Sequence, residues 1–288
     1  VTTVGRNGAV RARVAAALLG LAGRRDVEVS VGAERPLLRA EDRFNWFDHE
    51  ERCIAAAEPA PISDEPAAQR IARAARLHPG LELVLVGPLT NVARALAIDP
   101  QLPERVGGLT IMGGHVREVR IGRHVCAPGI DYNLCADPEA TMAVLGAGVP
   151  TCLVSADVTL STWLRDAEVE QLASAGPLAR ELARQVRLWR PVQHRIFTEL
   201  GGDLAPDNAA FLHDPLTVLA LIDAAPLAFE SLRILPTIER GVLRTLEVPP
   251  GVGFGTPMRV ATGVDAPAAT RSILGRLLEA APERGRRS

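Results

Sequence analysis

The residues best placed to do chemistry sit at a few sharp junctions. His213 and Asp214 directly precede Pro215 and a strongly apolar stretch that reads as a helix. An Asp at such a start is commonly an N-cap. A His-Asp step at the mouth of a crevice equally suits a metal-binding carboxylate beside a proton donor. Upstream, Asp131-Tyr132-Asn133 and Asp137-Pro138-Glu139-Ala140 follow a strand-like run that closes in Gly113-Gly114. Asn7, beside Gly8, is a residue that tolerates unusual backbone angles in a turn. Phe44, Trp46 and Phe47 crowd beside Asp48-His49-Glu50, either to cover a planar ligand or to plug their loop onto the core. Trp189, His194 and Phe197 cluster around Pro191, where apolar spacing is more often core than site. His115, His124 and Cys126 share one loop, but they lack the short spacing of zinc ligands. Gly251, Gly253 and Gly255 are followed by no immediate helix, which argues against a phosphate loop.

These residues need a scaffold, and the chain's pattern supplies one. Leu81 to Val86 is a short apolar run closed by Gly87-Pro88, and helix formers follow from Leu89 to Ile98. That sequence reads as a strand buried on both faces, a tight turn and a helix. Leu109 to Met112 and Thr151 to Ser155 repeat the theme, each followed by glycine or polar residues and then a helix start. The fold class is therefore α/β, an open and mainly parallel sheet with helices on both faces. In such sheets ligands lie in the crevice at the carboxyl ends of the strands. The Val86 carbonyl and the first amides of the next helix should point into it. Leu160 to Gly201 reads as helix with a break at Pro191. Ser63 and Asp64 read as the cap of a helix whose first turn holds Glu65 and Pro66.

Composition sets the outer limits. A chain of 288 residues, 47% of them hydrophobic, can bury a full core as one domain, with 282–288 as a frayed basic tail. A net charge of −2 gives no reason to expect nucleic acid or an acidic membrane as partner. Every side-chain amine or guanidine base is Arg and none is Lys, which reads as coding bias in a GC-rich genome. No apolar run is long enough to span a bilayer. Cys53, Cys126, Cys135 and Cys152 lack a CxxC step and fit ordinary thiols in a reducing cytosol.

Five blocks occur in a familiar order: Val1-Thr2-Thr3-Val4, Val86 to Ala93, Ile111-Met112-Gly113-Gly114, Tyr132-Asn133 with Asp137 to Ala140, and His213-Asp214-Pro215. Together they resemble the inosine–uridine preferring nucleoside hydrolases, over nearly the whole chain. The resemblance implies a Ca²⁺-dependent enzyme that cleaves ribonucleosides to free base and ribose, cytoplasmic and homo-oligomeric. It matches Asp214 and the Val86 backbone carbonyl to calcium ligands, and His213 to a residue beside the leaving base. It matches Asn7, Asp131 and Asn133 to groups around the ribose, with Asp131 standing for a glutamate and Val125 for an asparagine. His49 corresponds loosely to a His-Gly step, and Trp189 and His194 fall on helices that overhang the base. The family opens with a strand ending Asp-x-Asp-x-Gly-x-Asp-Asp, and this chain starts after it. The expectation is a hydrolase-like domain truncated at its N-terminus, whose remaining metal and base aspartates lie in that strand.

Cleaving an N-glycosidic bond puts positive charge on the ribose. The reaction asks for an activated water, anchored hydroxyls and a group to meet the departing base. A hard cation held by six to eight oxygens serves the first two needs. Two readings follow: a hydrolase impaired without its opening strand, or a nucleoside- or ribose-binding protein that hydrolyses nothing.

Overall fold

The computed structural model describes residues 1–38, 49–129 and 131–280. The aromatics Phe44, Trp46 and Phe47, with Asp48, lie outside the described residues, as does the tail. In chain order the elements are α1 (Gly8–Leu21), β1 (Val29–Ser30), a 3-10 turn (Glu50–Cys53), β2 (Ile62–Ser63), α2 (Ala67–Leu77), β3 (Leu81–Leu85), α3 (Thr90–Ile98), α4 (Leu102–Arg105) and β4 (Val106–Met112). Then come β5 (Val119–Ile121), β6 (His124–Cys126), α5 (Tyr132–Ala136), α6 (Pro138–Leu145), β7 (Thr151–Val154), α7 (Ala156–Thr159) and β8 (Trp163–Arg165). The last part holds α8 (Asp166–Ser174), α9 (Pro177–Glu199), β9 (Asn208–Phe211), α10 (His213–Ile222), β10 (Leu227–Glu239), β11 (Val242–Glu247), β12 (Thr256–Val264) and α11 (Ala266–Glu279).

Six strands form the main sheet in the order β11-β10-β12-β7-β4-β3. The four strands β12, β7, β4 and β3 run parallel, and β10 and β11 extend the sheet antiparallel. Period-two alternation divides their side chains between two apolar layers. Leu153 and Val260 enter the layer built with α2, α3 and α6, while their neighbours Val154 and Ala261 enter the layer built with α8, α10 and α11. β4 is the strand enclosed on both faces, with every residue but Gly107 buried.

Three readings of the sequence need correction here. β3 is an edge of this sheet, half-buried along most of its length, and not a strand enclosed on both sides. An apolar run records burial of the faces and is silent about whether each edge has a neighbour. Beyond the free edge of β3 lies a cavity of about 310 Å³, with Val84 to Pro88 on one wall and Thr2 to Val4 on the other. Thr2 itself bridges in parallel to Ser30, and β1 pairs with β2, so this strip runs beside the main sheet without joining it. Second, the segment from Leu160 to Gly201 is not simply helical and is not broken at Pro191. β8 interrupts it and pairs antiparallel with β9, while α9 runs unbroken through Pro191. Pro191 and Arg187 are both exposed, so the carbonyl deprived of its donor turns to water. Ser63 also falls in β2 and not at a helix cap, and Pro66 takes the N-cap position of α2.

The turn after β3 is held by side chains of α3. Asn91 is buried, donating from Nδ2 to the Thr3 carbonyl (2.8 Å) and accepting at Oδ1 from the Ala33 amide (2.9 Å). A Cβ on Gly32 would strike both the Thr3 carbonyl and this amide, so glycine is required by the close approach. Thr90 donates to Asp137 Oδ2 (2.6 Å), which also accepts from the Leu37 amide (2.7 Å), while Oδ1 accepts from Ala140 (3.1 Å).

Candidate active site

Val86 and Asn133 meet at one cavity beside the ends of β3 and β4, while His213 and Asp214 lie at the start of α10 outside its lining. β4 ends in Gly113 and Gly114, both at positive φ. Gly113 donates to the Val154 carbonyl and Gly114 accepts from Ala156, tying the ends of β4 and β7 together. Asp131 caps α5 through the Leu134 amide (3.0 Å), and burial raises its carboxyl above the usual range. Asn133 donates from Nδ2 to the Met112 carbonyl (3.1 Å), which anchors it at the end of β4. Asn133 and Tyr132 line the same cavity as Val86. Asn7 adopts a left-handed conformation (φ 57°, ψ 42°) ahead of α1, and its side chain makes no capping bond.

His213 and Asp214 open α10, which packs against β4 and β7. The N-cap position is Leu212, and Asp214 caps nothing. Its carboxylate has no hydrogen-bond partner among the described residues. The surrounding protein pushes this carboxyl up to about 6, although water still reaches the side chain. His213 is half-buried, with Nδ1 2.7 Å from the hydroxyl of Thr159 in α7. Desolvation drives its imidazole down to about 4, so the ring is neutral near pH 7.

The other candidates form a wall leading away from His213. His49 packs on Trp189 with ring centroids 5.2 Å apart. Trp189 donates to Gln193 Oε1 (3.3 Å), which also accepts from the Phe211 amide (3.0 Å). His194 contacts the Asn208 carbonyl through Nε2 (2.7 Å). That nitrogen is engaged with β9, so His194 braces the strand before His213. Phe211 then packs between Phe197 (5.0 Å) and His213 (5.4 Å), and shares a second cavity of about 430 Å³ with Trp163. Gln193 carries no local signal, since its partner Phe211 is 18 residues away. Thr159 closes an Asp157-Val158-Thr159 step that resembles the family's Asp-Val-Thr, although its partner His213 lies 54 residues on.

A family model for inosine-uridine preferring nucleoside hydrolases matches residues 1–271. The chain belongs to this family. The probable uridine nucleosidase 2 of Arabidopsis thaliana is 28% identical over 278 residues, covering 91% of this chain and 83% of that protein. The pyrimidine-specific ribonucleoside hydrolase RihA of Salmonella arizonae is 29% identical over 230 residues, 78% of this chain and 68% of that protein. The fold matches that of a purine-preferring ribonucleoside hydrolase from Gardnerella vaginalis, with a TM-score of 0.81 at 23% identity, over 97% of this chain and 89% of that one.

The donor set falls short of the calcium that the resemblance implies. No group of three or more His, Cys, Asp or Glu able to hold a metal occurs among the described residues. The Val86 carbonyl and the Asp214 carboxylate offer at most three oxygens where a Ca²⁺ ion takes six to eight. These residues alone do not fit the ion. No helix among the described residues is long and apolar enough to cross a membrane.

The two shifted groups of the hydrolase make opposite demands on stability. Asp214, raised from 3.8 to about 6, contributes stability that is present below pH 3.8 and lost as pH rises through 6. His213, lowered from 6.5 to about 4, contributes stability that is present above 6.5 and lost as pH falls through 4. Asp214→Asn removes the first and leaves the second. Metal-free Asn variant should therefore melt higher than the parent near pH 7, by roughly 2–4 °C at most given the solvent contact, and converge with it near pH 4. Calorimetry across that range checks this. An Asn variant that melts lower at neutral pH would show that Asp214 has a stabilising partner.

Proposed function

We propose that the chain's site binds a ribonucleoside with its ribose toward Asn133 and Asp214 and its base toward His213, for hydrolysis of the N-glycosidic bond. The observation that carries this reading is the adjacent pair at the start of α10: a carboxylate without a hydrogen-bond partner and an imidazole fixed on one side only. A carboxylate beside the ribose favours the positive charge that develops there. Asn133, held through Nδ2, keeps its Oδ1 for a sugar hydroxyl. His213, neutral at physiological pH, offers the departing base a hydrogen bond. Calcium would supply an activated water in a complete donor set. A second reading, a nucleoside- or ribose-binding protein without turnover, rests on the described donors falling short of a calcium set.

The test is made in the protein extended ahead of Val1 by a strand with the family pattern Asp-x-Asp-x-Gly-x-Asp-Asp. It compares His213→Ala with that extended parent on inosine and on p-nitrophenyl riboside, whose leaving group needs no help from a donor. Turnover on inosine should fall about 10²-fold or more, with little change on the nitrophenyl substrate. Equal losses on both would remove His213 from the base side. An extended parent that binds nucleosides and releases no ribose would favour the second reading.

A further inference from the structure

The hydroxyl of Thr159 is the feature that the proposed reaction leaves unexplained. Thr159 is fully buried at the end of α7, and its Oγ1 lies 2.7 Å from His213 Nδ1. Its hydroxyl has no other partner among the described residues. A hydroxyl has one proton to donate, and a neutral imidazole has one N–H and one acceptor nitrogen. Were Nδ1–H the donor, the threonine proton would be stranded in the interior without an acceptor. Buried donors are rarely left so. The bond therefore runs from Thr159 Oγ1–H to Nδ1, and the imidazole proton resides on Nε2.

The ring has little freedom to escape this arrangement. Phe211 packs against it at 5.4 Å with the planes tilted by 41°, and Phe197 supports Phe211 from behind at 5.0 Å. The Phe211 amide is fixed in turn by Gln193 Oε1. Nε2 lies across the ring from the threonine-facing edge and meets no partner among the described residues.

We infer that Thr159 is a positioning residue that holds His213 in its Nε2–H tautomer, so that the imidazole presents a donor to an acceptor atom of the leaving base. This rests on the reading that His213 faces the base. A ring nitrogen or carbonyl oxygen of a purine or pyrimidine fits the donor, whereas an N–H at that place would meet it head on. The threonine thereby selects which edge of the base can turn toward α10.

The test is spectroscopic and does not require turnover. The parent, Thr159→Val and Thr159→Ser are labelled with ¹⁵N-histidine, and two-bond ¹H–¹⁵N correlations are recorded at about pH 8, where neutral imidazole dominates. His213→Gln assigns the signal among the six histidines. The parent and the serine variant should show the Nε2–H pattern alone. The valine variant, similar in shape but without the hydroxyl, should show both tautomers, with the Nε2–H to Nδ1–H ratio down about tenfold. A parent in the Nδ1–H form, or a valine variant with the parent's ratio, overturns the inference. Should the valine protein fail to fold, the tautomer of the parent decides alone. Hypoxanthine and uracil are then added to the parent. A shift at Nε2 supports the donor role, and no shift with the tautomer confirmed counts against the base-side placement of His213 and leaves the role of Thr159 standing.

Discussion

Residues 1–288 by themselves should release free ribose from a nucleoside panel barely, if at all, and should bind Ca²⁺ weakly. One carboxylate and one carbonyl cannot replace the water shell of a hard divalent ion, and among the described residues no clustered second carboxylate stands ready to deprotonate a water. Adding ahead of Val1 a strand with the family pattern Asp-x-Asp-x-Gly-x-Asp-Asp should raise chelator-sensitive ribose release by about 10³-fold or more, because carboxylates for a metal and for a base are supplied together. The comparison is a ribose assay on both proteins, with and without a chelator. Robust chelator-sensitive turnover from residues 1–288 would show that the metal site is elsewhere in the chain. An extended protein that binds calcium and ribose yet releases nothing would favour a binding role.

Asp137→Ala should be the most damaging single substitution for stability. The carboxylate is fully buried and accepts from Thr90, Leu37 and Ala140, which join α3, the segment after β1 and the start of α6. Removing it strands three donors in the interior. A cost of about 3 kcal/mol or more follows, or roughly 6–12 °C in melting temperature for a domain of this size. Urea unfolding measures the difference directly. A change below about 1 kcal/mol would mean that water enters and takes over the three bonds.

These two residues also show how much could be read from the sequence. Asp137 and Asp214 both precede apolar helices and look alike as letters. The first is a cap bound on three sides, and the second caps nothing. What separates them is the presence of Thr90 and Leu37 beside one and the exposure of the other, which are facts of tertiary packing. Strand and helix positions were legible because alternation and helix-forming runs act locally. The edge position of β3 was not, since a strand's own residues do not record its neighbours. Nor was the continuity of α9 through Pro191, which depends on both Pro191 and Arg187 facing water. Among the site residues, Asn133, Val86 and the pair at α10 could be named from motif order. The bracing by Gln193, His194 and Phe211 could not.

The free edge of β3 also bears on how copies of the chain behave toward one another. An edge strand offers a ladder of unpaired backbone groups, and proteins usually guard such edges with charge, proline or a bulge. β3 carries one charged residue, Glu82, near its start, and Val84, Leu85 and Val86 continue toward Pro88 with none. The cavity leaves that ladder facing space instead of a strand. Intermolecular strand exchange is then the competing reaction during refolding, second order in chain and so suppressed by dilution. An extended segment laid along β3 would act as a gatekeeper against such aggregation.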